Sequence, residues 1–282
     1  MKKVGSLFKL LRFELPVAAG VCVIMGQLLA TGKFAPIQVS ILGFMSVFLI
    51  SASILVLNDY YDVETDKINA PNRPIPSNLV SPSEALIFAI SLLTIGMILS
   101  YSITSITFFI SIILAIVGFL YNRYFKKTGL LGNFMVSFSV GMTFIYGGAS
   151  VSLPFNKSVM LFGVIAALID LGEEIAADAM DIKGDALINS NSIAIKHGKS
   201  KALKISLCIF FTVIQLSALP FLLNWFSIVY LVPVLIIDFS IAYSAVMLLK
   251  SNDEEGRKYI RWIYLGATIG LVVFIVMRLL NI

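Results

Sequence analysis

The sequence predicts an all-α integral membrane protein, and three observations carry that reading. Hydrophobic residues make up 59% of the 282 positions, and Asp, Glu, Lys and Arg together only 13%. Mean hydropathy is +0.95. Charge-free apolar stretches of about 20 residues recur, each long enough at about 1.5 Å per residue to cross a hydrocarbon core of about 30 Å as a helix. Charge content is about half that of an ordinary soluble domain, so a soluble globule and a disordered chain are both excluded. Cys22 and Cys208 each lie inside an apolar stretch with no His or second Cys nearby, which argues for packing rather than a disulfide or a zinc site. A single histidine, His197, cannot support multi-histidine metal chemistry. The net charge of +5 is dispersed along the chain, which fits membrane orientation and not nucleic-acid binding.

Taken in order, the apolar runs centre near residues 15 to 31, 37 to 57, 85 to 101, 104 to 121, 130 to 152, 158 to 177, 202 to 223, 227 to 249 and 261 to 281, giving nine expected transmembrane helices. Ala85 to Asn122 is too long for one crossing, and Tyr101, Ser102, Thr104 and Ser105 mark a tight turn that divides it. The sixth run is the least typical. Its apolar part, Val159 to Ile169, is short and then meets Asp170, Glu173 and Glu174, so part of it must face protein or water. Ahead of the first span, Val4, Leu7, Phe8 and Leu11 share one helical face with lysines between them. Residues 1–13 therefore read as an interfacial helix and not as a cleavable leader. The whole of 1–282 reads as a single transmembrane domain. Assigning alternate loops to one side gathers every basic residue except Lys33, Lys157 and Arg278. The positive-inside rule then puts the N-terminus and the charged loops in the cytoplasm and the C-terminus outside.

The acids are clustered. Asp59, Asp62, Glu64 and Asp66 follow the second span, and Asp170, Glu173, Glu174, Asp178, Asp181 and Asp185 follow the sixth. The two clusters end even-numbered spans and lead into polar loops, which suggests two related helical halves facing one another. If the second span continues as a helix, Asn58, Asp62 and Asp66 recur every four residues and form one column of oxygen ligands. Asp178, Asp181 and Asp185 share a face at spacings three and four, and Asp170 and Glu174 extend it.

Like charges at this spacing repel, and at membrane depth each costs about 2.5 to 3.5 kcal/mol, so something cationic must offset them. Hard oxygen ligands without His or Cys suit Mg²⁺, which takes one or two carboxylates and completes its shell with water and phosphate oxygens. Two facing columns could hold a diphosphate with its metal ions. The competing reading is a pair of solvated acidic loops paired with nearby lysines. The proline-rich loop Lys67 to Ser77 presents Arg73, whose guanidinium suits bidentate phosphate contact or simply caps a surface turn. The loop after the fourth span offers Tyr121, Asn122, Arg123, Lys126 and Lys127, and the loop after the second cluster offers Lys183, Lys196, His197 and Lys199. Each of these serves equally as a membrane-side anchor. Asp238 is an isolated acid at mid-span, a functional candidate by default or a protonated packing residue.

These residues resemble the UbiA superfamily of intramembrane prenyltransferases, whose members have nine transmembrane helices and two aspartate-rich motifs around a central cavity. The family's first motif, N-D-x-x-D-x-x-x-D, is matched by Asn58, Asp59, Asp62 and Asp66; its second, D-x-x-x-D, by Asp181 and Asp185, with Asp178 preceding. Asn72-Arg73-Pro74-Ile75-Pro76-Ser77, with Val80-Ser81 and Glu84-Ala85 following, looks like the archaeal branch that makes membrane lipids, as does Glu174-Ile175 ahead of Asp178 and Asp181. Many relatives carry a lysine immediately before the second aspartate series where this chain has Ala177, and the branch often has an arginine where it has Glu173. Diphosphate contacts are then expected from Arg73, Arg123, Lys126 and Lys127.

The resemblance implies a Mg²⁺-dependent transfer of a geranylgeranyl group from geranylgeranyl diphosphate to the hydroxyl of geranylgeranylglyceryl phosphate, forming the second ether of an archaeal lipid. Asn58, Asp62, Asp66, Asp178, Asp181 and Asp185 would hold metal, with Asn58, Asp62, Asp181 and Asp185 the catalytic core. Arg73, Tyr121, Arg123, Lys126, Lys127 and Lys183 would bind substrate. The expected partners are these lipid substrates and the surrounding membrane lipids, with no nucleic acid and no obligate protein partner. The nearest alternative is the same fold with an aromatic acceptor. A transporter or channel would instead need acids deep in several spans, and only Asp238 is clearly central.

Overall fold

The structure, a computed structural model, describes residues 2–187 and 189–280. The expected ends at residues 1 and 281 fall outside that range. In chain order the helices are α1 (Lys2–Leu10), α2 (Glu14–Thr31), α3 (Ile37–Tyr61), α4 (Val63–Asn69), α5 (Pro82–Tyr101), α6 (Ser105–Leu120), α7 (Leu130–Ser150), α8 (Lys157–Met180), α9 (Ile182–Leu187), α10 (Ile193–His197), α11 (Lys199–Leu222), α12 (Leu231–Leu248) and α13 (Asp253–Leu279). A π-helical turn, Tyr121–Phe125, and a 3₁₀ turn, Lys126–Thr128, join α6 to α7, and a second 3₁₀ turn, Ile228–Tyr230, precedes α12. No strand occurs among the described residues.

Local chemistry sets the helix ends. The turn expected near residue 103 is present: α5 stops at Tyr101, and Thr104 caps α6 by a reciprocal pair of bonds with Thr107. Ser81 and Glu84 make the same capping box at the start of α5, with Pro82 in the first turn, where a missing N–H costs nothing. Asn252 caps α13 by accepting from the Glu255 N–H. Eight described helical segments are long and apolar enough to span a bilayer, the fourth running from Ser105 through Thr128. The expected ninth is α8. It has 24 residues, and Asp170, Glu173, Glu174 and Asp178 in its second half keep it from meeting the same measure of apolarity.

The chain divides into two compact units. Unit one comprises Met1–Tyr124 and Met142–Val159; unit two comprises Phe125–Gly141 and Met160–Ile282.

In unit one, α3 packs along α5 and α2. Buried hydroxyls must find partners where no water reaches them. The Tyr146 hydroxyl lies 2.9 Å from Ser46 Oγ and 3.0 Å from Ser100 Oγ, Ser46 donates to the Gly96 carbonyl at 2.9 Å, and Ser53 donates to Ala89 at 2.8 Å. A Cβ on Gly147 would collide with the Val23 carbonyl and the Gly26 Cα, so glycine lets these two backbones touch. Leu10 and Leu11 are buried against Ala52, Val56, Ile75, Val80 and Ala85, which fastens the end of α1 to the core.

In unit two, α12 packs on α13 and α11 around a core that includes Ile175, Ala179, Met180, Phe210, Ile241 and Ile263. Ser206 donates to the Gly172 carbonyl at 2.7 Å. Gly256 is buried against Met180, whose sulfur occupies the place a Cβ would need, so the start of α13 lies directly on the end of α8.

Candidate active site

The first acidic motif lies at the end of α3. The helix pauses at Asp62 (φ −91°, ψ 5°) before α4 begins, but the Asp62 N–H still bonds the Asn58 carbonyl at 3.0 Å and the Asp66 N–H the Asp62 carbonyl at 2.7 Å. The four-residue spacing of Asn58, Asp62 and Asp66 therefore survives the break. Asn58 Nδ2 donates to Asn122 Oδ1 at 2.9 Å, and Asn122 Nδ2 donates to the Ile54 carbonyl at 3.0 Å, so Asn122 holds the Asn58 amide against α3. Asp59 and Asp66 are buried. Asp59 Oδ1 accepts from Arg12, at the junction of α1 and α2, and from Arg73 Nη1 at 3.4 Å; the same Nη1 lies 2.6 Å from Asp66 Oδ2. Arg73 and Asp66, assigned by sequence to substrate and metal, are thus ion-paired with each other. A turn pattern holds this arginine: its N–H bonds the Ala70 carbonyl at 2.9 Å, and its carbonyl accepts from Ser77 N–H at 3.0 Å.

The second motif runs from α8 into α9. Asn133 Nδ2 donates to Asp178 Oδ2 at 2.8 Å, and Ser137 Oγ donates to Asp170 Oδ2 at 3.0 Å, so two residues one turn apart on α7 serve two acids of α8. Asp181 begins the link to α9, and its Oδ1 lies 3.1 Å from Arg257 Nη2 of α13; Arg257 also reaches the Met180 carbonyl at 3.4 Å. The Asp185 N–H bonds the Asp181 carbonyl at 2.9 Å. Burial pushes the Asp185 carboxyl above the usual carboxylate range; the Ser192 and Ser190 hydroxyls partly offset this and the charge of Asp181 adds to it. Among the described residues, Asp185 Oδ2 and Glu173 Oε1 are buried without a hydrogen-bond partner.

Within each unit the oxygens of Asn, Asp and Glu are donors of the kind a hard divalent cation takes. Among the described residues, however, no three His, Cys, Asp or Glu side chains stand close enough to hold an ion by themselves. An ion bound here would need oxygens from water or phosphate, the usual habit of Mg²⁺.

The basic residues named from sequence fall around these motifs in their own units. Tyr121 opens the π-helical turn, and Arg123 stacks over Tyr61 and Tyr124 at 5.8 and 5.5 Å from the ring centroids. In unit two, Lys126 is half-buried within electrostatic reach of Glu174, Lys127 is exposed while its carbonyl accepts from Asn191 at 2.9 Å, and Lys183 is exposed on α9. Asp238, at mid-helix in α12, accepts from Ser217 at 2.7 Å. Cys22 is half-buried, whereas Cys208, expected to pack, is exposed.

Sequence reasoning missed Arg12, Arg257, Asn133 and Ser137. The arginines were counted only as membrane-side charges, and nothing local joins them to acids 47 and 76 positions away. Asn133 and Ser137 did leave a signal, two polar residues at helical spacing inside an otherwise apolar run.

Comparison with known proteins identifies the family. Residues 19–275 match the UbiA prenyltransferase family. The chain is 33% identical over 280 residues to digeranylgeranylglyceryl phosphate synthase of Methanocaldococcus jannaschii, covering 98% of this chain and 97% of that protein. It is 33% identical to the protein of the same name from Sulfolobus acidocaldarius, covering 96% and 97%. A solved structure of digeranylgeranylglyceryl phosphate synthase superposes with a TM-score of 0.80 at 33% identity, covering 99% of both chains. A UbiA homologue from Archaeoglobus fulgidus, bound to DMAPP and Mg²⁺, shares the fold with a TM-score of 0.69 at 18% identity, covering 93% of this chain and 99% of that one. With the whole length matched and both aspartate motifs in place, the chain belongs to the UbiA prenyltransferase family and is a multi-pass membrane protein.

Proposed function

We propose that the protein transfers a geranylgeranyl group from geranylgeranyl diphosphate to the free hydroxyl of geranylgeranylglyceryl phosphate, with Mg²⁺ as cofactor. The observation that carries this reading is the match of about one-third identity, over nearly the full length, to relatives named for that synthesis, in a chain that keeps both aspartate motifs.

Asn58, Asp62 and Asp66 of the first motif and Asp178, Asp181 and Asp185 of the second would hold the metal. When bound, Mg²⁺ neutralises charge that develops on the departing diphosphate. The chain's own part is orientation and charge. Asn122 fixes the Asn58 amide, and Asn133 fixes the Asp178 carboxylate, so each ligand is presented in one geometry. Arg73, Arg123, Lys126, Lys127 and Lys183, with Tyr121, grip the phosphates of donor and acceptor. As the C–O bond to the diphosphate breaks, these cations stabilise the leaving group, the acceptor oxygen takes the allylic carbon, and its proton leaves. Apolar helix surface accommodates the chains and limits attack by water. Residues 1–282 work as a single transmembrane domain, with the N-terminus and the catalytic residues on the cytoplasmic side, the C-terminus outside, and 1–13 along the interface. This orientation is supported by the concentration of basic residues in alternate loops.

The test is an acceptor trial with purified protein, geranylgeranyl diphosphate and Mg²⁺. Ether formation on geranylgeranylglyceryl phosphate is the expected result. Efficient prenylation of a hydroxybenzoate or naphthoate with none of the glyceryl phosphate would replace this reading by the aromatic one.

A further inference from the structure

We propose that Arg12 and Arg73, gathered on one buried oxygen of Asp59, form a cradle for a phosphate group of the lipid substrates, and that Asp59 is the positioning residue that builds the cradle and not a metal ligand. This rests on the prenyl-transfer reading and adds two residues to it.

Three features of unit one carry the argument. The Asp59 side chain is only 3% exposed, and both guanidinium groups approach the same atom, Oδ1. Arg73 also pairs with Asp66 Oδ2 at 2.6 Å, so two guanidinium groups meet two carboxylates, and a phosphate here would be held by the forks' remaining N–H donors and not by surplus charge. Each guanidinium carries five N–H donors. Among the described residues, Arg12 directs only Nη2 and Arg73 only Nη1 to acceptors, and the two side chains are 31% and 35% exposed, so the outer part of each fork is open.

Second, the mounting is rigid. Arg12 sits in the left-handed region at φ 45°, a conformation that is unfavourable for a non-glycine residue. Leu10 and Leu11, buried on either side of the α1 end, hold the backbone there, and α1 is further tied to α5 by the Lys3–Glu84 ion pair. Strain of this kind persists where the surrounding structure over-determines a side chain's position. Third, both guanidinium groups engage Asp59 Oδ1 and its side chain is only 3% exposed, against 8% for Asp66, so of the acids in this motif Asp59 is the one most enclosed by arginine.

The phosphate belongs either to the diphosphate donor or to the glyceryl phosphate acceptor, which present the same chemistry, and the experiment separates them. Full-length Arg12→Gln, Arg12→Lys, Asp59→Asn and Asp62→Asn proteins are compared with the parent at varied donor, acceptor and Mg²⁺. Arg12→Gln raises KM for one phosphate substrate about 10- to 100-fold, the worth of a charge-assisted pair, with a smaller change in kcat. Which KM moves identifies the phosphate. Arg12→Lys keeps the charge without the fork and falls between. Asp59→Asn moves the same KM and leaves the Mg²⁺ activation constant unchanged, whereas Asp62→Asn raises it. A separate readout needs no turnover: inorganic pyrophosphate or glycerol phosphate raises the thermal midpoint of the parent, and less so that of Arg12→Lys. If the parent does not prenylate the glyceryl phosphate, the functional reading fails while this shift still reports on the cradle. Unchanged KM values in both Arg12 variants, or a Mg²⁺ constant that shifts in Asp59→Asn as far as in Asp62→Asn, would overturn the proposal.

Discussion

The two acidic motifs solve the same electrostatic problem in different ways. In the first, Asp59 and Asp66 are buried and matched by Arg12 and Arg73 from flanking segments, so the charges cancel inside unit one. In the second, Asp170 and Asp178 are served by neutral groups, Ser137 and Asn133, and Arg257 pairs with Asp181 at a site where both side chains are more than half exposed. Dipoles orient a carboxylate without cancelling its charge, while a guanidinium does both. On the proposed reading the second motif would therefore leave more of its charge for a metal and its diphosphate, while the first is the more tightly ion-paired of the two.

Replacements should reveal that difference. The largest effects belong to the carboxylates proposed to hold metal: Asp62→Asn and Asp181→Asn each lower kcat by at least about 100-fold, as loss of a charge stabiliser does, while the proteins elute and melt as folded species. Chelation of divalent ions stops turnover of the parent, and added Mg²⁺ restores it. Next, Asn133→Ala raises the Mg²⁺ activation constant about 10- to 100-fold, the usual result of removing a group that orients a ligand. An equal rise in Asn122→Ala would mean that the first motif depends on neutral dipoles as heavily as the second. The smallest effect belongs to Arg257→Gln. The exposed pair with Asp181 is worth about 0 to 1 kcal/mol, so the thermal midpoint hardly moves and the Mg²⁺ constant falls slightly. A large loss of stability would show that Arg257 fastens α13 to α8 beyond what Gly256 and Met180 already provide.

Much of this was legible in the sequence because membranes impose a simple code. Apolar runs gave most of the long helices to within a few residues, although α13 starts at Asp253, eight residues before the run at 261, because its first two turns are charged; Ser102–Thr104 divided α5 from α6 as expected. The periodicity of Asn58, Asp62 and Asp66 was also readable, though not the pause at Asp62. Partners were harder. Arg12 meets Asp59 only because Leu10 and Leu11 bury the end of α1, and Arg257 meets Asp181 only because Gly256 admits Met180. Both depend on tertiary packing between distant segments. The Arg73–Asp66 pair is hidden for another reason: the two lie seven positions apart with the end of α4 and a proline-rich turn between them, and only the fold of that turn brings the guanidinium back onto the acid.

Whether both carboxylate sets serve one reaction is decided by a double-mutant cycle on geranylgeranyl transfer with Asp62→Asn, Asp181→Asn and the combined protein. Groups acting as a unit are strongly non-additive. The expected result is that either single replacement costs nearly as much as both together. Losses that multiply, or a doubly substituted protein that still turns over at the parent rate, would contradict joint use of the two motifs.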